Sequence, residues 1–217
     1  MSKDKEFVNE HYDKLKKHSE QDKEGYWNML AQHEEVHWHK QYTRVLDDSK
    51  KPLYRWFPDG EINICYNAVD KHVDRGFGDN IAMIYDSAYL NITENFTYKE
   101  LQNRVGRIAS VLTKKFGVTK GDRVLLYMPM IPVSTFFMLA CARIGAIHSV
   151  VFGGFAAKEL ANRIDDCSPK VIITASCGLE PGKVIKYRPI VDEALDLATT
   201  IKDARKVIQR IIVQRKD

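Results

Sequence analysis

From Ile81 onward the chain alternates short apolar runs with amphipathic ones, and this alternation constrains the fold more than any other feature. "IAMIYD" (81–86) reads as a strand, and "TYKELQNRVGRIASVLTKKF" (97–116) as a helix. Leu101, Val105, Ile108 and Leu112 recur on one helical face, and Thr97 with Glu100 three residues on forms a capping box. The series continues with strand 123–129, helix 131–144, strand 148–153, helix 156–166, strand 170–176, helix 188–203 and strand 210–215. "RVLLYMP" and "KVIITAS" are apolar at nearly every position, so neither strand has a wet face. The predicted fold class is α/β, a mainly parallel sheet flanked by helices.

The most apolar stretch, Val124 to Ala157, is long enough to raise the question of a membrane span. A span needs about 20 uninterrupted apolar residues. Pro129, Pro132, Arg143 and His148 interrupt this one, so it reads as a buried strand–helix–strand unit, and no membrane partner is expected.

The first 75 residues have a different character. Helical stretches are predicted around 6–17 and 20–31, then Pro52, Pro58 and Gly60 break regular structure, and a short helix is predicted over 67–75. The expected organisation is a helical and irregular extension over 1–75 followed by the α/β domain over 76–217. A formal charge of +4, spread along the chain, is too weak a signal for nucleic acid. The four cysteines form no C-x-x-C pair, and Cys141 sits in an apolar run as a buried free thiol would. The charged opening "MSKDKEFVNE" has no apolar core and is neither Arg-rich nor acid-poor, so a cytoplasmic protein is expected. The sequons at Asn91 and Asn95 read as polar loop residues. The charged "KD" just past the last strand suggests a piece of something longer.

Three motifs bear on chemistry. His33, Glu34 and His37 satisfy H-E-x-x-H, which in a zinc peptidase sits on a helix with a third ligand downstream. Lys40 and Thr43 occupy the places where the longer metzincin form needs Gly and His, and Glu61 lies in a broken segment. A solvated helix end anchored by Trp27 and Trp38 is the simpler reading. Gly153–Gly154 joins a strand to a helix, where a bare backbone admits close approach of an anion, or simply makes a tight turn. "SCGLEPGKVIKYRP" reads as a loop at the carboxyl edge of the sheet, with Lys183, Lys186 and Arg188 as an anion-holding group or as ordinary surface charge. Neither G-x-x-x-x-G-K-[ST] nor G-x-G-x-x-G occurs.

Taken together, "YWNMLAQHEEVHWHKQYTRVLDDSKKPLYRWFPDGEINICYNAVDKHV", "FTYKEL", "GVTKGDRVLLYMPMIPV", "LACARIGAIHSVVFGGFAAKELANRIDDCSPKVIITAS" and "GLEPGK" resemble the N-terminal portion of AMP-forming short-chain acyl-CoA synthetases, from about residue 10 onward. Trp56, Phe57, Gly60, Asn63, Asn67, Asp70 and His72 fit the family frame, in which the His33–His37 stretch carries no metal.

The resemblance implies ligation of a small carboxylate, acetate or propionate, to coenzyme A through an acyl-adenylate, with ATP and Mg²⁺. Of that machinery it places only part of the CoA nucleotide pocket in this chain: Phe152, Gly153, Gly154, Glu180, Pro181, Gly182, Lys183 and Ile185. No catalytic residue or metal ligand is implied here. The ATP and Mg²⁺ sites would lie outside these residues, and the chain alone is expected to be inactive. "GLEPGK" is nearer the propionyl-CoA form, usually "EPGR", than the acetyl-CoA form, which commonly has Arg at both Glu180 and Lys183. Glu180 offers a phosphate no positive charge, and Lys183 keeps the charge without the two-pronged guanidinium. The alternative class is a noncatalytic CoA-binding or interaction module, distinguished by whether the reading frame continues into a Thr/Ser/Gly-rich loop.

Overall fold

A computed structural model describes residues 3–33 and 36–215, in two compact units that divide between Asn63 and Ile64. The first unit opens with helices α1 (Lys3–Gln21) and α2 (Lys23–Ala31), close to the predicted spans. Asp22 caps α2, its carboxylate accepting from the Gly25 amide at 2.9 Å. The Trp38 indole N–H donates to the Ala31 carbonyl at 2.8 Å and so occupies the last carbonyl of α2. Trp38 also packs edge-on against Tyr42 and Phe57. The anchoring role expected of it is real, whereas Trp27 lies half exposed against Trp56. Strands β1 (Leu46–Asp47) and β2 (Arg55–Trp56) pair antiparallel.

Because α2 ends at Ala31, His33 and His37 do not share a helix, which corrects the geometry that the H-E-x-x-H reading needs. Glu34 lies outside the described residues. Among the described residues no three His, Cys, Asp or Glu side chains gather as a metal site.

The second unit begins with two wide, π-helical turns, Tyr66–Asp70 and Val73–Phe77, where one short helix was predicted. Strands β3 (Ile81–Ser87) and β4 (Ile92–Thr97) then form an antiparallel hairpin. β4 corrects the loop reading of the second sequon, since Asn95 is a strand residue opposite Ile84. Helix α3 (Tyr98–Lys114) carries the full capping box: the Thr97 hydroxyl accepts from the Glu100 amide, and the Glu100 carboxylate accepts from the Thr97 amide.

Next come β5 (Arg123–Met128), α4 (Pro132–Ile144), β6 (Ile147–Phe152), α5 (Ala157–Cys167) and β7 (Val171–Ala175). After them the chain forms β8 (Cys177–Glu180), β9 (Lys183–Lys186), α6 (Tyr187–Leu197), the short α7 (Ala204–Val207) and β10 (Gln209–Val213). A four-stranded sheet runs β10-β7-β5-β6, parallel throughout, as the apolar runs predict.

The continuous hydrophobicity of β5 and β7 has a direct cause. Val124, Leu126, Val171 and Ile173 pack with α3 and α4 on one face, and Leu125, Tyr127 and Ile172 pack with α5 and α6 on the other. Arg143, which interrupts the apolar run, is held by Asp70 at 2.6 Å. Among the described residues no helix is long and apolar enough to cross a membrane. Burial pushes the Cys141 thiol up to about 12, consistent with an inert core cysteine.

Helix α6 stops at Leu197, six residues before its predicted end. The cause is Asp165 on α5. Its carboxylate accepts from the amides of Thr199 and Thr200 at 2.9–3.0 Å and from both hydroxyls at 2.7–2.9 Å, which commits those residues to a non-helical turn.

Desolvation works to raise the Asp165 pKa, but the hydrogen bonds from Thr199 and Thr200 together outweigh it and hold the carboxyl at about 2. Asp122, bonded first by Lys170 and then by Thr119, is held at about 2 as well. Folded-state pKa values below the unfolded value of about 3.9 mean that the stabilisation is full above that pH and is lost as pH falls toward 2. The thermal midpoint of the chain should therefore fall between about pH 4 and pH 2, and less steeply in Asp165→Asn. An equally steep fall in the variant would show that this carboxylate is not a source of the acid sensitivity.

Candidate functional site

The carboxyl ends of β5, β6 and β7 lie at one edge of the parallel sheet, where ligands of such sheets bind. Besides the short 129–131 link from β5 to α4, two segments leave that edge: the Gly153–Gly154 turn after β6, and the β8–β9 segment after β7.

The first turn is shaped by what it packs against. A Cβ at Gly153 would lie 2.6 Å from the Tyr187 hydroxyl oxygen and 3.0 Å from the Met128 carbonyl oxygen, so only a bare backbone fits. Its exit is held by Tyr127 of β5, whose hydroxyl donates to the Phe155 carbonyl at 2.5 Å. Tyr127 and Tyr187 meet edge to face at 5.1 Å. Burial, with the neighbouring Tyr187, pushes the Tyr127 phenol up to about 12, so it remains a donor at all ordinary pH. Gly154 is under weaker constraint. The nearest atoms a Cβ there would meet belong to the ring of Phe152, which is 70% exposed, so the neighbour that must shift is a surface side chain.

The second segment corrects a sequence expectation. In place of the expected loop, residues 177–186 form an antiparallel hairpin, β8–β9, with Glu180 opposite Lys183 and Gly178 opposite Ile185. Pro181 favours the first corner of its two-residue turn, and Gly182, at φ +69°, takes the second, a left-handed conformation that costs glycine nothing. At the base of the hairpin, Gly178 is buried, and a Cβ there would strike the Tyr187 ring at 2.7 Å. Ile185 packs into the α5–α6 side of the core.

Tyr187 is therefore the common wall. It fits between Gly153 of one segment and Gly178 of the other, and only glycine admits it at either place. The structure thus brings Gly153 and the hairpin base carrying Ile185 together, with Gly154 and the exposed Phe152 ring alongside the first.

Glu180, Pro181, Gly182 and Lys183 form the outer end of the hairpin and are exposed. Lys183 makes no ion pair among the described residues, which leaves its ammonium available to an anion. Of the other two cations, Lys186 ends β9 and is exposed, while Arg188 in the first turn of α6 already faces Asp192 at 3.7 Å. Glu180 is engaged through its backbone, as its carbonyl accepts from the Tyr89 hydroxyl at 2.5 Å.

Sequence reasoning gives no site role to Tyr89, Tyr127, Gly178 or Tyr187, although Gly178 and Tyr187 fall within "SCGLEPGKVIKYRP". Tyr127 reads locally as a core strand residue and Tyr187 as the start of a helix. Tyr89 sits in the 88–91 turn, 91 residues from its partner.

A donor set of a bare Gly-Gly turn, an exposed aromatic ring and an uncommitted cation suits an aromatic base bearing phosphate. The family described as AMP-binding enzyme matches residues 70–217, more than half of the chain. The chain belongs to the AMP-binding enzyme family. A second family, described as Acetyl-coenzyme A synthetase N-terminus, matches residues 12–68.

Relatives of this chain include the human Acyl-CoA synthetase short-chain family member 3, mitochondrial, 53% identical over 176 residues, which are 81% of this chain and 25% of the relative. Acetyl-coenzyme A synthetase of Wolinella succinogenes is 47% identical over 85% of this chain and 28% of its own. Acetyl-coenzyme A synthetase of Thiobacillus denitrificans is 44% identical over 95% of this chain and 30% of its own. The chain thus spans between about a quarter and a third of the length of these relatives. The family resemblance read from the residues is confirmed, and so is the α/β fold class with its parallel sheet.

Proposed function

We propose that this chain serves the AMP-forming ligation of a short-chain carboxylate, acetate or propionate, to coenzyme A, and that its own residues supply part of the site for the CoA nucleotide. The observation that carries the reading is the juxtaposition around Tyr187 of the Gly153–Gly154 turn and a hairpin whose outer end presents the uncommitted ammonium of Lys183. The exposed Phe152 ring offers a face to a base, the exposed backbone at Gly154 permits close approach, and Lys183 offers charge to a phosphate. When bound, CoA supplies the thiol that takes the acyl group. These residues bind and orient its nucleotide end and perform no bond chemistry. ATP and Mg²⁺ belong to the same proposal for the whole activity, at sites formed by other residues. The four free cysteines suit a reducing compartment, and a cytoplasmic location is part of the proposal.

Titration of the isotopically labelled chain with CoA, followed amide by amide by NMR, tests this reading. The expected result is a set of shifts centred on Gly153, Gly154, Gly182 and Lys183, with none on adding acetate alone. CoA at several-millimolar concentration leaving those amides unmoved, or moving a different surface, would overturn it.

A further inference from the structure

The tip of the β3–β4 hairpin reaches the outer turn of the β8–β9 hairpin through one side chain. The Tyr89 hydroxyl donates to the Glu180 carbonyl at 2.5 Å and accepts from the Gly182 amide at 3.2 Å. One oxygen thus uses its donor and its acceptor capacity on both sides of Pro181, and it fastens the turn at the two peptide groups that define it.

The outer turn has little else to fix it. Residues 180–184 are all exposed, and β8 and β9 contribute only four residues each. A hairpin this short is marginal without outside support. Its base is held by Tyr187, but the Gly178↔Ile185 pair is two steps below the turn. Pro181 and Gly182 set the shape of the turn and leave open its position relative to the rest of the unit.

We propose that Tyr89 is a positioning residue for the phosphate-facing turn: by fastening residues 180–182 it places Lys183 where a terminal phosphate of a nucleotide is received. The proposal rests on the CoA-nucleotide reading above. Its physical content is preorganisation. A lysine on a turn that must be ordered during binding gives back part of its contact energy as lost chain freedom, whereas a turn already fastened does not. Tyr89 acts through the backbone, and the beneficiary is the one side chain next to it that carries uncommitted positive charge.

Tyr89→Phe keeps the ring and deletes only the oxygen. Three measurements on the full chain are compared: hydrogen exchange of the Gly182 amide, affinity for CoA and for dephospho-CoA, and the thermal midpoint, with Lys183→Ala carried in parallel. The expected result for Tyr89→Phe is faster exchange at Gly182, about a fivefold loss of CoA affinity, little change for dephospho-CoA and an unchanged midpoint. A merely structural tyrosine would lower affinity for both nucleotides together with the midpoint.

Unchanged exchange at Gly182, or unchanged preference for CoA in a chain whose Lys183→Ala variant loses that preference, overturns the positioning role and leaves the site reading standing. If Lys183→Ala itself leaves the preference for CoA intact, the site reading fails and the positioning role fails with it.

Discussion

Gly153→Ala is expected to destabilise the chain by about 2 kcal/mol, since forcing an extra carbon into a well-packed region costs roughly 1–3 kcal/mol. The new methyl would sit 2.6 Å from the Tyr187 oxygen, closer than Cβ atoms approach, and a tight 3.0 Å from the Met128 carbonyl oxygen. Neither neighbour gives way easily. Tyr187 is 3% exposed with its ring against Tyr127, and the Met128 carbonyl is main chain at the end of β5. For a chain of this size the thermal midpoint should drop by about 4–8 °C.

Gly154→Ala is the matched control. The nearest atoms to its methyl belong to the exposed Phe152 ring, a surface side chain that can shift, so a change under about 0.5 kcal/mol is expected. Tyr187→Phe in the Gly153→Ala background removes the nearer obstacle and should restore about 1 kcal/mol, measured as the coupling in a double-mutant cycle. Equal stability of the two glycine variants, or zero coupling to Tyr187, would contradict the account of why glycine stands at position 153.

The parts of this structure that were legible in the sequence are those fixed by short-range physics. Helix α3 was readable because its cap, first turn and buried stripe are consecutive signals: Thr97, Glu100, then Leu101, Val105 and Leu112. β5 and β7 were readable because a strand packed on both faces leaves no polar position. The errors fall where a distant partner decides. "NITENFT" is too polar to announce a strand, and β4 exists because β3 pairs with it and Phe96 reaches the core. Helical propensity continues past Leu197, but Asp165 captures Thr199 and Thr200 from another helix.

The site divides in the same way. Gly153–Gly154 and Pro181–Gly182 announce turns, because those residue types have few other uses, and Lys183 announces charge. That the first turn and the hairpin base share one wall was not legible, since Tyr187 carries no local sign of it. Nor was the hairpin itself, whose four-residue strands are too short for a period to show.

In the proposed site, the outer end of the β8–β9 hairpin receives a phosphate of the CoA nucleotide through Lys183. Lys183 lies at the end of the turn, exposed and without an ion-pair partner among the described residues. Of the phosphates of CoA, we propose the 3′-phosphate as its partner. A charge-assisted hydrogen bond contributes roughly 1.5–3 kcal/mol, and solvent at so exposed a position draws the value toward the low end. At about 1.4 kcal/mol per decade, Lys183→Ala should weaken CoA binding about 10-fold.

The most direct test is a four-way comparison of affinities: wild type and Lys183→Ala, each with CoA and with dephospho-CoA, which differ only in the 3′-phosphate. The account predicts that the lysine and the phosphate are coupled, so that the 10-fold penalty seen with CoA shrinks to nearly nothing with dephospho-CoA. An equal loss of affinity for both ligands would contradict it, and would make the hairpin a structural element of the sheet edge that reads no phosphate.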